Sequence, residues 1–124
     1  MLETSTRLMD AAINDRNFEH PIFALAISDF ECGPIDEHPG ADSLAGMQKM
    51  FQNIATENPA YNIEVESMRT DMSSCGQYAE VHQQLTVTGK PLGLTRSVFS
   101  VVAWEKIEGQ WRAVSHHSLL NFLM

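Results

Sequence analysis

Histidine is the side chain whose ordinary pKa lies near neutrality, and this sequence carries five of them. His82 stands in the string QYAEVHQQLTVTG. In an extended chain it is in phase with Tyr78, Glu80, Gln84 and Thr86. A carboxylate on the same face as an imidazole can orient it as a general base, and a phenol beside them can hold developing negative charge. The same alternation also describes the polar face of a one-sided sheet. His116 and His117 are adjacent, so in a strand they point to opposite faces. One face would carry Arg112, Val114, His116 and Ser118, the other Trp111, Ala113, Ser115 and His117, and a bulge would exchange them. Arg96 is in phase with Val98, Ser100, Val102 and Trp104. A guanidinium on that apolar face can polarise a carbonyl or hold a carboxylate, or simply mark an exposed strand end. Asp29, Glu31, Asp36, Glu37 and His38 crowd a strand and the loop after it, with Asp29 and Glu31 opposite Phe30.

Other chemistries lack their motifs. There is no G-x-S-x-G, no Walker loop, no G-x-G-x-x-G and no H-E-x-x-H, and the two cysteines, Cys32 and Cys75, form no zinc-type spacing. No cofactor and no metal are therefore expected. The net charge is −8, with 16 acidic against 8 basic residues and no separate basic cluster, so nucleic acid and anionic membranes are not expected partners. With 124 residues, 44% of them hydrophobic, the chain has the composition of one globular domain spanning 1–124. The expected location is cytoplasmic: the N-terminus reads as neither a signal nor a transit peptide, and the thiols read as reduced.

The elements that must position these residues follow from periodicity. Ser5 to Asp15 is helical, with Leu8, Ala12 and Ile13 on the inner face and Asp10 elsewhere. Pro21 opens a short helix through Ala26, and residues 27 to 32 form a short strand closed by Gly33-Pro34. Asp42 or Ser43 caps an amphipathic helix bearing Leu44, Met47, Met50, Phe51 and Ile54, stopped at Asn58-Pro59. The period then switches to two. Strands run from Tyr61 to Thr70, Tyr78 to Thr88, Thr95 to Lys106 and Gln110 to Leu120, the last two joined at Glu108-Gly109. Helices first and an antiparallel meander after them give an α+β fold, helices packed on one face of a curved sheet. Such a sheet can enclose a small-molecule cavity. Met47, Phe51 and Trp104 could wall it, or fill an ordinary core.

The strings SDFEC, ENPAY, QYAEVHQQLTVTG and VVAWEKIEGQWRAVSHHS, in that order, resemble the nuclear transport factor 2-like superfamily. Within it they are similar to the SnoaL-like polyketide cyclases, and NDRNFEHPIF is similar to some fungal biosynthetic isomerases. The resemblance implies a cone-shaped, cystatin-like α+β barrel, a homodimer formed through the convex sheet, and an apolar pocket bearing acid/base groups. It favours His116 over His117 for the pocket. One departure stands out. Ketosteroid isomerases of this superfamily carry a general-base Asp before a proline at the end of the first strand, where this chain has Gly33 before Pro34.

The combined expectation is a cofactor-independent isomerase or cyclase acting on an apolar, oxygenated small molecule of polyketide or terpenoid type. His82 or His116 would move the proton, Asp29 or Glu80 would assist, and Arg96 or Tyr78 would stabilise an oxyanion. Tyr78, Trp104, Met47, Phe51 and His117 would contact substrate. The alternatives are a dimerising small-molecule-binding module without catalysis, and a dehydratase with two histidines facing across the pocket.

Overall fold

A computed structural model describes residues 1–120. Helix α1 spans Leu2–Asn14 and buries Leu2, Ser5, Thr6, Met9, Ala12 and Ile13. The helix starts three residues before the expected Ser5, because that serine and Thr6 are buried within it. Thr6 Oγ1 donates to Leu2 O at 2.8 Å, so its hydroxyl is satisfied by the preceding turn. The inner stripe is rotated from the expected one. Leu8 is 44% exposed, and Asp10 lies at the edge of the buried face.

A 3₁₀ turn follows at Pro21–Leu25, with His20 extended before its proline and His20 Nδ1 accepting from Ile22 N. Strand β1 covers Ala26–Cys32. Helix α2 covers Leu44–Glu57. Its cap is Ser43, whose Oγ accepts from Gly46 N at 2.9 Å, and it turns Met47, Met50, Phe51 and Ile54 inward. Strands β2 (Asn62–Met72), β3 (Tyr78–Thr88), β4 (Thr95–Ile107) and β5 (Gln110–Leu120) complete the chain.

The fold is α+β, with both helices on one face of a curved, unclosed five-stranded sheet in the order β1-β5-β4-β3-β2. Strands β2 to β5 form the expected antiparallel meander. Strand β1, the short strand expected over residues 27 to 32, joins it in parallel beside β5. Glu108 and Gly109 both have positive φ, the geometry of a two-residue hairpin.

Alternation is strict on β3. Ala79, Val81, Gln83, Leu85 and Val87 are buried under the helices, so Tyr78, Glu80, His82, Gln84 and Thr86 occupy the outer face. On β4 the inward set is Arg96, Val98, Ser100, Val102 and Trp104. On β5 a bulge interrupts the pairing: Trp104 faces Ala113 and Ala103 faces Ser115, leaving Val114 extra. Ala113 and His116 therefore both turn inward, and His117, opposite Val101, turns outward. None of the described helices is long and apolar enough to cross a membrane.

Candidate active site

Between the helices and the inner face of the sheet lies a cavity of about 70 Å³. Its wall is mostly apolar: Met9, Ile13, Phe23, Phe30, Met47, Phe51, Leu85 and Val102. Its polar groups are Thr6, Asp10, Tyr61, Arg96, His116 and Ser118. A water needs roughly 10–15 Å³ on this measure, so the space holds a few waters or one compact molecule. It is well below the roughly 300 Å³ at which drug-sized sites begin. A polycyclic ligand would require the flexible Met9 and Met47 side chains to move.

Asp10 is strongly altered by the fold. Burial disfavours its charged form and raises its pKa from 3.8 to about 7, against smaller lowering effects of Gln83 and Arg7. Its Oδ2 is buried with no hydrogen-bond partner. The Gln83 carboxamide stands close enough to favour the carboxylate, but neither Gln83 Oε1 nor Nε2 completes a well-formed hydrogen bond. Gln83 therefore modulates Asp10 without tying it down.

Tyr61 is also buried. Its phenol pKa is raised by burial and by the Asp10 charge, while Arg96 acts the other way. The phenol thus lies within electrostatic reach of both Asp10 and Arg96, and stays protonated as a donor. Tyr61 immediately precedes β2, and that position is fixed from α1. Asn14 Nδ2 donates to Ile63 O and Asn14 Oδ1 accepts from Ile63 N, each at 2.7 Å. Arg16 Nη2 donates to Pro59 O and Tyr61 O.

His116 reaches the cavity as well, but both its ring nitrogens are engaged. Nε2 lies 2.9 Å from Ser100 Oγ, and Nδ1 lies 3.6 Å from Cys32 Sγ. Burial, then the neighbouring His117, lowers its pKa to about 4, so the ring is neutral near pH 7. The residue is half-buried and lines the cavity, and Phe51 packs against its ring edge-on. Cys32 is buried, and burial pushes its thiol up to about 12. It stays S–H, a partner for the neutral imidazole and not a nucleophile.

Of the residues singled out from the sequence, the cavity brings together Arg96, His116, Met47 and Phe51. The others do not line it. His82 and Tyr78 lie on the outer face, because the register of β3 gives the inner face to Val81 and Gln83. There His82 packs on Phe99 between the carboxylates of Asp71 and Glu80, both about 3.2–3.3 Å from Nε2. His117 points outward through the β5 bulge. Asp29 is exposed on the sheet-edge strand β1, whose buried residues are Ala26, Phe30 and Cys32. Trp104 is core filling, 1% exposed, with Nε1 donating to Thr6 Oγ1.

The ionisable residues of the loop after β1, Asp36, Glu37 and His38, do not line the cavity either. Asp36 is clamped by Arg96, whose Nη1 and Nη2 donate to its two carboxylate oxygens, and by Lys90 Nζ at 2.7 Å. The Arg96 hydrogen bond leads the causes that hold its pKa down at about 2. His38 sits between Glu37 and Glu57, apart from the cavity-lining residues. A Cβ at Gly33 would lie 2.6 Å from Nδ1 of the exposed His117 side chain, which would have to turn aside.

Sequence reasoning did not single out Thr6, Asp10 or Tyr61, and named Ser118 only as sharing the face of His116. A usable signal was present for Asp10. Thr6, Met9, Asp10 and Ile13 follow the i, i+3, i+4, i+7 spacing of one helical stripe. Centring the inner face on Leu8 hid it.

No protein-family model and no curated protein matches the chain. Solved structures do match its fold. A hexachlorocyclohexane dehydrochlorinase, LinA-type3, from Novosphingobium barchaimii LL02 superposes with a TM-score of 0.82 at 10% identity, over 99% of this chain and 86% of that one. A scytalone dehydratase-like protein from Novosphingobium aromaticivorans DSM 12444 gives 0.76 at 15% identity, over 98% and 82%. An uncharacterised protein with a cystatin-like fold from Caulobacter vibrioides gives 0.80 at 12% identity, over 97% and 87%. The chain therefore has the cystatin-like fold of nuclear transport factor 2-like proteins. At these identities the likeness concerns the fold alone.

Proposed function

We propose that this protein is a cofactor-independent isomerase or dehydratase that moves a proton on a compact, largely apolar molecule carrying a carbonyl. The observation that carries this reading is Asp10: a buried carboxyl with an unpartnered oxygen, facing an apolar cavity, with its pKa near 7. Such a group is about half ionised at neutral pH and serves equally as base and acid. His116 is the weaker candidate, because Ser100 and Cys32 occupy its two nitrogens. Its neutral ring is a fixed part of the wall.

In the proposed step the Asp10 carboxylate takes a proton from carbon beside the carbonyl. The C–H electron pair becomes the C=C bond of an enolate as the carbonyl π pair moves onto oxygen, where the Tyr61 hydroxyl stabilises the negative charge. Where a β,γ C=C adjoins the carbonyl, the enolate is a dienolate, and return of the same proton to its γ-carbon gives isomerisation. Delivery of it to a departing β-hydroxyl, released as water, gives dehydration. The dehydratase reading is supported by the scytalone dehydratase-like neighbour, and the small cavity favours compact substrates over polycyclic ones.

The test is α-hydrogen exchange of cyclopentanone in D₂O, followed by NMR. The wild-type protein is expected to accelerate exchange with a rate rising through about pH 7, and Asp10→Asn to lose about 10²–10⁴-fold. Equal exchange by wild type and Asp10→Asn would remove the assignment.

A further inference from the structure

Arg96 is the cation that borders the cavity, and the charges around it set what it can bind. Its two terminal nitrogens are spent on Asp36, at 3.1 and 2.8 Å. Its Nε is buried, yet among the described residues it has no acceptor. A buried N–H without a partner is costly, and Arg96 is one of the residues that line the cavity. The clamp also fixes the plane of the guanidinium, so the direction of Nε–H is set before any ligand arrives. The Arg96 charge is answered on the spot. Asp36 takes Arg96 and Lys90 together, and Lys90 also reaches Glu37 Oε1 at 3.5 Å. Two cations face two carboxylates, leaving no local excess of positive charge.

We propose that the Arg96 Nε–H is an oxygen-binding subsite that accepts a neutral carbonyl or hydroxyl oxygen and rejects a carboxylate, because Asp36 has already neutralised the guanidinium. The inference rests on the reading of this cavity as the reaction site. A carboxylate entering here would lose its hydration, meet no uncompensated cation and lie near the Asp36 carboxylate. A ketone oxygen needs only one donor, and finds it already oriented. The Tyr61 hydroxyl lies within electrostatic reach of the same guanidinium and can serve as a second donor. Specificity then comes from a repulsive element as much as from an attractive one. The loop holding Asp36 becomes a determinant of substrate class: it leaves the arginine as a hydrogen-bond donor and removes its action as a point charge.

The experiment compares binding of cyclopentanone and cyclopentanecarboxylate by NMR titration at pH 6, where Asp10 is mainly uncharged. Cyclopentane reports whether the cavity itself is intact. Wild type is expected to prefer the ketone by at least about tenfold. Arg96→Met should lose about tenfold in ketone affinity while still binding cyclopentane. Asp36→Asn, which removes the counter-charge, should move the ketone-to-carboxylate ratio at least about tenfold toward the carboxylate. A wild-type preference for carboxylate, or ketone affinity unchanged in Arg96→Met, would overturn the proposal, as would an unchanged ratio in a folded Asp36→Asn. If Asp36→Asn fails to bind cyclopentane, the wild-type and Arg96→Met measurements decide alone. Selective ketone binding without deuterium exchange would remove the proton-transfer reading and leave this subsite standing. Exchange with no dependence on Arg96 would do the reverse.

Discussion

At the scale of single residues, two buried titratable groups push stability in opposite directions. Asp10 has a folded pKa raised from 3.8 to about 7. Its neutral form is the one the fold tolerates, so its contribution is fully present below pH 3.8 and is lost as pH rises through 7. The whole effect is on the order of 4 kcal/mol. His116 has a folded pKa lowered from 6.5 to about 4. Its contribution is present above pH 6.5 and is lost as pH falls toward 4, on the order of 3 kcal/mol. Between about pH 4 and 6.5 the two slopes nearly cancel, so neither is visible in the wild type. Asp10→Asn uncovers them. We expect this variant to be about 2–4 kcal/mol more stable than wild type at pH 8, and to lose about 3 kcal/mol between pH 6.5 and 4. Urea denaturation at stepped pH measures both. A substitution that stabilises the fold while abolishing exchange is what a functional carboxyl held against its own hydration predicts. Wild-type stability at pH 8 equal to that of Asp10→Asn would mean that Asp10 ionises freely.

At the scale of elements, what could be read from the sequence was periodicity, and what could not was phase. The strands β3 and β5 and the capped start of α2 follow directly from alternation, turn residues and Ser43. The face each strand turns inward does not, because alternation yields two faces without saying which is covered. On β3 the polar set Tyr78, Glu80, His82 drew attention as chemistry, while the buried polar residue was Gln83. On β5 the bulge beside Ala113 decides between His116 and His117, and no residue type announces it. The C-terminal end of α1 shows the same limit. Asn14 is only one of the last residues of a helical pattern in the sequence, and in the fold its carboxamide closes both backbone bonds of Ile63 at the start of β2. That tie sets where Tyr61 stands relative to Asp10, four residues back along α1. Asn14→Ala is expected to cost about 1–3 kcal/mol by leaving two part-buried backbone groups unpaired. It should also speed amide exchange at Ile63 more than at β4. An Ile63 amide equally protected in the variant would show that the tie is dispensable.

At the scale of the whole molecule, one side of the sheet is occupied by the helices and the other is bare among the described residues. The bare side is organised. Phe99, Val101 and Ala103 form an apolar strip along β4, with Phe99 37% exposed and Leu119 opposite it on β5. His82 lies against Phe99. The charged groups Arg69, Asp71 and Glu80 stand to the side, on β2 and the adjoining edge of β3. An apolar centre with a charged rim of both signs is the arrangement of a protein interface. A patch of that kind pairs well with itself, since a two-fold axis sets each rim charge against its neighbours on the other copy. The expected occupant of this face is a second copy of the chain. The chain's net charge of −8 works against such pairing, so a dimer held by the apolar strip should strengthen with added salt. Light scattering at micromolar concentration is expected to give twice the 13.9 kDa chain mass. Phe99→Glu would place two like charges near the axis and should give a monomer that still binds cyclopentanone, because the cavity lies on the other face of the sheet. A wild-type monomer under these conditions, at low and high salt alike, would mean that the strip serves another partner or none, and that the cavity operates in a single chain.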